Sequence, residues 1–83
     1  MVVVQLFAGA RELAGVGSLS FNLPAGSSVA ELREAMAGNL LSLAALVARS
    51  RIAVNQEFAD DSAIVPEGAE VALIPPVSGG GAP

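Results

Sequence analysis

A chain of 83 residues has room for one domain with a core of marginal size. Without cysteine or histidine, neither a disulfide nor a thiolate or imidazole metal site can support that core. Four arginines, no lysine and eight acids give a net charge of −4; there is no basic stripe for a phosphate backbone, and the same gaps exclude catalytic triads, thiolate nucleophiles and Schiff-base chemistry.

A hydrophobic fraction of 53% and a mean hydropathy of +0.64 are high for so small a chain, so apolar surface is expected outside the core, where it would meet a partner. A membrane is not the expected destination. The most apolar stretch, Leu40 to Ala48, is interrupted by Ser42 and closed by Arg49, far short of the roughly 20 apolar residues a spanning helix needs. Met1 to Phe7 has neither a basic lead-in nor a cleavage pattern, so no signal peptide is expected and the cytoplasm is the default compartment.

Met1 to Phe7 is rich in Val and too short for a buried helix, which predicts a strand. Alternation places Val2, Val4 and Leu6 on one face and Val3, Gln5 and Phe7 on the other. If Gln5 marks the wetter face, Phe7 is an exposed aromatic; the competing assignment makes it core at a strand end. Ala10 to Ala14 reads as a short helical turn closed by Gly15, and Gly15-Val16-Gly17 lacks the third glycine and the following helix of a dinucleotide fingerprint. Ser18 to Leu23 alternates, with Leu19, Phe21 and Leu23 inward, as in a half-buried strand hairpinned to the first.

Ser28-Val29-Ala30-Glu31 fits a capping box, and Val29, Leu32 and Met36 follow at helical spacing. After a stop at Gly38-Asn39, Leu40, Leu43, Ala44 and Val47 renew the stripe, predicting a second helix or a kinked continuation. Arg51 to Asn55 is expected as a strand with Ile52 and Val54 inward. Gln56 to Asp61 is expected as a polar turn or bulge that carries Phe58, an aromatic where turns prefer Gly, Asn or Asp. Ser62 to Val65 is expected to add a short edge strand. Glu70 to Ile74 is the last strand, with Val71 and Leu73 on one face and Ala72 and Ile74 on the other.

This order predicts an α+β domain over residues 1–76, a mixed sheet with helices packed on one face and a later strand parallel to an early one. Phe7 and Ile74 fall on the face left uncovered. No catalytic site is expected in the domain body, and no metal site: adjacent Asp60 and Asp61 in a turn point apart and serve as solvated caps. Residues 77–83 are expected to form a flexible Gly-rich tail. Pro75-Pro76 stiffens its exit, and Gly79 and Gly80 have no Cβ, so they could thread a narrow slot. On composition alone a linker is the default reading of such a tail.

Three blocks change that reading: L-F-A-G-A-R-E-L-A-G from Leu6 to Gly15, A-V-N-Q from Ala53 to Gln56, and G-A-E-V-A-L-I-P-P-V-S-G-G from Gly68 to Gly80. In this order and spacing the chain resembles the small-subunit family of molybdopterin synthase, ubiquitin-like β-grasp sulfur carriers. The resemblance covers Val2 to Gly80. It implies that an adenylating, sulfurating enzyme uses ATP to activate the carboxylate of Gly80, that sulfur replaces oxygen there to give a thiocarboxylate, and that no cofactor is bound by the carrier itself. It further implies that Val77, Ser78 and Gly79 enter the large synthase subunit with Gly80, which donates sulfur to cyclic pyranopterin monophosphate in molybdenum cofactor biosynthesis. Partner contacts in the family fall on positions matching Phe7, Phe58 and Ile74.

Two departures stand out. Ala69 replaces a customary acid, and Gly81-Ala82-Pro83 follow the glycine pair at which such carriers end. The resemblance then requires trimming after Gly80, or an extension foreign to the protein, or a chain that no longer carries sulfur. Carriage for thiamine or cysteine pathways, and a ubiquitin-like interaction or modifier module, remain the alternatives.

Overall fold

A computed structural model of the chain describes residues 1–39 and 41–76. Its elements run β1 (Val2–Leu6), α1 (Ala8–Ala14), β2 (Ser18–Phe21), α2 (Val29–Asn39), α3 (Leu41–Arg49), β3 (Arg51–Val54), β4 (Glu57–Ala59) and β5 (Glu70–Ile74). The strands form one five-stranded sheet in the order β2-β1-β5-β3-β4. Only β1 and β5 are parallel, with Val4 opposite Val71 and Leu6 opposite Leu73; the other pairs are antiparallel. The expected α+β architecture and the parallel pairing of an early strand with a late one are both present.

Alternation decides which side of each strand the helices cover. In β1, Val2, Val4 and Leu6 are buried while Val3 and Gln5 are exposed, and in β5 Val71 and Leu73 are fully buried. Their partners in the core are Leu32 and Met36 of α2, Leu43 and Val47 of α3, Ala10 of α1 and Ile52 of β3. Burying a side chain of the Leu or Val class stabilises by about 1.5–3 kcal/mol, so this single layer between helices and sheet carries most of the fold. Among the described residues no helix is long and apolar enough to cross a membrane.

The local punctuation follows sequence chemistry. Gly15, at φ 77, ends α1 in the left-handed conformation and donates its N–H to the Arg11 carbonyl. The capping box forms as spelled: the Ser28 N–H donates to Glu31 Oε1 at 2.8 Å, and the Glu31 N–H donates to Ser28 Oγ at 3.2 Å. Leu40, expected on the α3 stripe, lies outside the described residues.

Two expectations are corrected. Gln56 to Asp61 is not simply a turn: Asn55 and Gln56, at φ 52 and 72, form a two-residue hairpin turn of the I′ kind, and Glu57–Ala59 pairs back onto β3 as the edge strand. Ser62 to Val65 is not a strand beyond the single bridge between Ser28 and Ile64. Its backbone is engaged elsewhere. The Asp61 and Ala63 carbonyls accept from the N–H groups of Ala30 and Val29, satisfying the first turn of α2.

Candidate functional site

The sheet face away from the helices has no covering element among the described residues, and its side chains follow directly from the pairing register. One row runs Ser18, Gln5, Ala72, Ala53, Phe58 across the strands. The next row toward the tail holds Ile74 opposite Arg51. Phe7 follows Leu6 in extended conformation, at φ −127 and ψ 155, so the pleat continues and sets it beside Ile74. Phe7 is 50% and Phe58 55% exposed, too much for core aromatics, and Ile74 is half-buried.

The structure thus places the three expected partner-binding residues on one face, Phe7 and Phe58 three strand spacings apart across the sheet and one row apart along it. Small Ala72 and Ala53 continue Phe58's row, while Ile74 and Arg51 stand in the row that leads to Phe7. Parity settles the two assignments for Phe7 in favour of the exposed one.

Strand β5 joins this patch to the tail. It ends at Ile74, Pro75 is half-buried and Pro76 exposed, so the chain leaves the sheet between Phe7 on the β1 side and Arg51 on the β3 side. A proline pair here stops the β5 ladder and holds the exit extended. Val77, Ser78, Gly79 and Gly80, the residues expected to insert and to carry sulfur, lie outside the described residues.

Sequence reasoning missed Arg51. Its guanidinium carbon lies 3.8 Å from the centre of the Phe58 ring, a cation–π contact on the open face. The signal was present: Ile52 points inward, so Arg51 and Ala53 point outward, by the same alternation that located Phe7 and Ile74. The other arginines, Arg11, Arg33 and Arg49, belong to helices.

Acid–base chemistry finds no centre among the described residues. Asp60 Oδ1 accepts from the Ser62 N–H and hydroxyl, and these bonds hold its carboxyl below the ordinary value. Asp61 instead pairs with Arg33 at 2.8 Å, while Arg33 also donates to the Val47 carbonyl, tying α2 to the end of α3 and to the loop. The two neighbouring carboxylates serve separate structural bonds, as caps do. No group of three or more His, Cys, Asp or Glu residues converges for a metal among the described residues. What the open face offers is exposed aromatic and apolar surface beside the end of β5.

Comparison with known proteins gives this geometry its relatives. The ThiS family profile matches residues 4–80. The molybdopterin synthase sulfur carrier subunit of Arabidopsis thaliana is 40% identical over 79 residues, covering 95% of this chain and 82% of that protein. Among solved structures, a putative molybdopterin converting factor subunit 1 from Pyrococcus furiosus superposes with a TM-score of 0.81 at 30% identity, over 92% of this chain and 97% of that one. Small archaeal modifier protein 1 of H. volcanii gives 0.81 at 25% identity, over 92% and 97%.

Proposed function

The chain belongs to the ThiS family, with the ubiquitin-like β-grasp fold, and on that premise we propose that it is the sulfur-carrier subunit of a molybdopterin synthase. The observation that carries this reading is the 40% identity to a molybdopterin synthase sulfur carrier subunit across 95% of the chain. Its chemistry resides in the tail. A carboxylate is a poor electrophile because its leaving group would be oxide; an adenylating partner that uses ATP gives the Gly80 carboxylate AMP as leaving group. Sulfur delivered at the sulfide level then displaces AMP and leaves a thiocarboxylate. In the large subunit that sulfur bonds to cyclic pyranopterin monophosphate, and water cleaves the resulting thioester, leaving sulfur on the acceptor and a carboxylate on Gly80 for another round.

The body of the chain supplies position. Phe7, Ile74 and Phe58 form the apolar part of the docking face, β5 fixes the root of the tail, and Val77 to Gly80 reach the partner's active site, where Gly79 and Gly80 leave room for a narrow passage. A free carboxylate at Gly80 requires removal of Gly81, Ala82 and Pro83. We place the carrier in the cytoplasm with its adenylating enzyme.

Intact-mass measurement of the chain coexpressed with its adenylating enzyme in the native host tests this reading. A species ending at Gly80 with one oxygen replaced by sulfur is expected; a chain that keeps Pro83 and shows no such exchange contradicts it. A second reading, a protein modifier, draws support from the likeness to small archaeal modifier protein 1. It predicts Gly80 in isopeptide bonds to lysines of other proteins in the same preparation.

A further inference from the structure

We propose that Arg51 is a specificity-determining residue of the docking face, one that requires the partner to bring a carboxylate side chain to the root of the tail. The inference rests on the carrier reading above and goes beyond it by stating what the partner surface must contain. Three observations place Arg51 at a decisive point. It pairs directly with Ile74, the last residue of β5, so it stands beside the tail's exit. Its guanidinium carbon lies over the Phe58 ring, 3.8 Å from the ring centre, against an exposed aromatic of the open face. Among the described residues no carboxylate comes within 4.0 Å of it, whereas Arg33 has Asp61.

A guanidinium held against Phe58 keeps its N–H donors in its own plane, where a planar acceptor can meet them. When a partner covers Phe7, Ile74 and Phe58, those donors lose their water. An unpaired guanidinium in a dry interface is strongly unfavourable, whereas a carboxylate in the guanidinium plane accepts two parallel, charge-assisted bonds. Arg51 thereby acts in both directions: it favours an apolar partner surface with one acid at its centre and disfavours an equally apolar surface without one.

Asp60, one residue past the end of β4, lines the same groove as Arg51, yet its Oδ1 accepts from Ser62 and it makes no ion pair with Arg51 within 4.0 Å. The chain is otherwise acidic, with a net charge of −4. Arg33, which lines the same groove, is already paired with Asp61, so Arg51 is the cation there that fixes the register of docking as well as the choice of partner.

The test compares binding of the cognate large synthase subunit to the native chain and to Arg51→Gln, Arg51→Lys and Phe7→Ala, with thermal unfolding of each chain in parallel. Arg51→Gln is expected to weaken binding about thirty-fold, mainly through faster dissociation and without loss of thermal stability, because it leaves the partner's acid unpaired. Arg51→Lys, which keeps the charge and loses the planar fork, falls between the two. Binding of Arg51→Gln within about twofold of native, while Phe7→Ala binds at least about tenfold more weakly, overturns the role of Arg51 and leaves the carrier reading intact. A native chain that does not bind the large subunit at all overturns both.

Discussion

The two faces of one sheet are built from the same strands to different ends. On β5, Val71 and Leu73 are fully buried under the helices, while Ala72 and Ile74, alternating with them, are only half-buried on the open side. The covered face uses aliphatic side chains of regular shape, which fill space and hold the helices in place. The open face carries two exposed aromatics and an arginine over one of them, residue types enriched where proteins bind each other. The period of a strand lets neighbouring residues answer to different demands, packing on one side and exposure on the other.

The contrast should be sharpest at adjacent positions. Leu73→Ala removes a fully buried side chain and is expected to cost about 2–5 kcal/mol, a large part of the stability of a small domain, seen as a lower denaturation midpoint. Ile74→Ala is expected to cost under about 1 kcal/mol of stability and to weaken binding of the large subunit about tenfold. Equal destabilisation by the two substitutions would break the division of labour.

Asn55 probes the edge that positions Phe58. It adopts a left-handed φ of 52 and its Oδ1 accepts from the Glu70 N–H at 3.0 Å, which ties the β3–β4 hairpin to the start of β5. Asn55→Ala should lose about 1–2 kcal/mol in denaturant titration, through the left-handed backbone and the lost acceptor. A smaller weakening of partner binding should accompany it.

The smallest effect is expected from Asp60. Its folded pKa lies below the ordinary 3.8, so its contribution to stability is complete above that value and is lost as pH falls through the folded value. Asp60→Asn should therefore unfold at a lower denaturant midpoint than the native chain near neutrality. The difference should shrink as pH falls below 3.8.

Much of this was legible in the chain because period and chemistry agreed. Val2, Val4 and Leu6 against Val3 and Gln5, and Ser28 with Glu31, determine a strand face and a helix start by spacing alone. The edge strand was not legible. Glu57–Ala59 is too short for alternation to register, and its turn uses Gln56 at φ 72, where glycine is the usual signal. Ser62 to Val65 misled for a related reason: Ile64 and Val65 are β-branched, but an Asx turn at Asp60 and the N-terminus of α2 claim the surrounding backbone. In the candidate site, parity located Phe7 and Ile74, the unusual composition of a turn flagged Phe58, and the role of Gly80 came from resemblance alone. Arg51 was overlooked because a lone arginine at a strand start looks like solvated charge until its register opposite Ile74 and its stack on Phe58 are seen.

The central claim is that the helix-covered face holds the fold while the open face and the root of the tail meet the partner. Titration of the isotope-labelled chain with the large synthase subunit, followed by amide and methyl resonances, tests it most directly. The largest perturbations are predicted at Phe7, Arg51, Phe58 and Ile74, with Leu32, Met36, Leu43 and Val47 little changed. Perturbations concentrated along α2 and α3, with the open face silent, would contradict it.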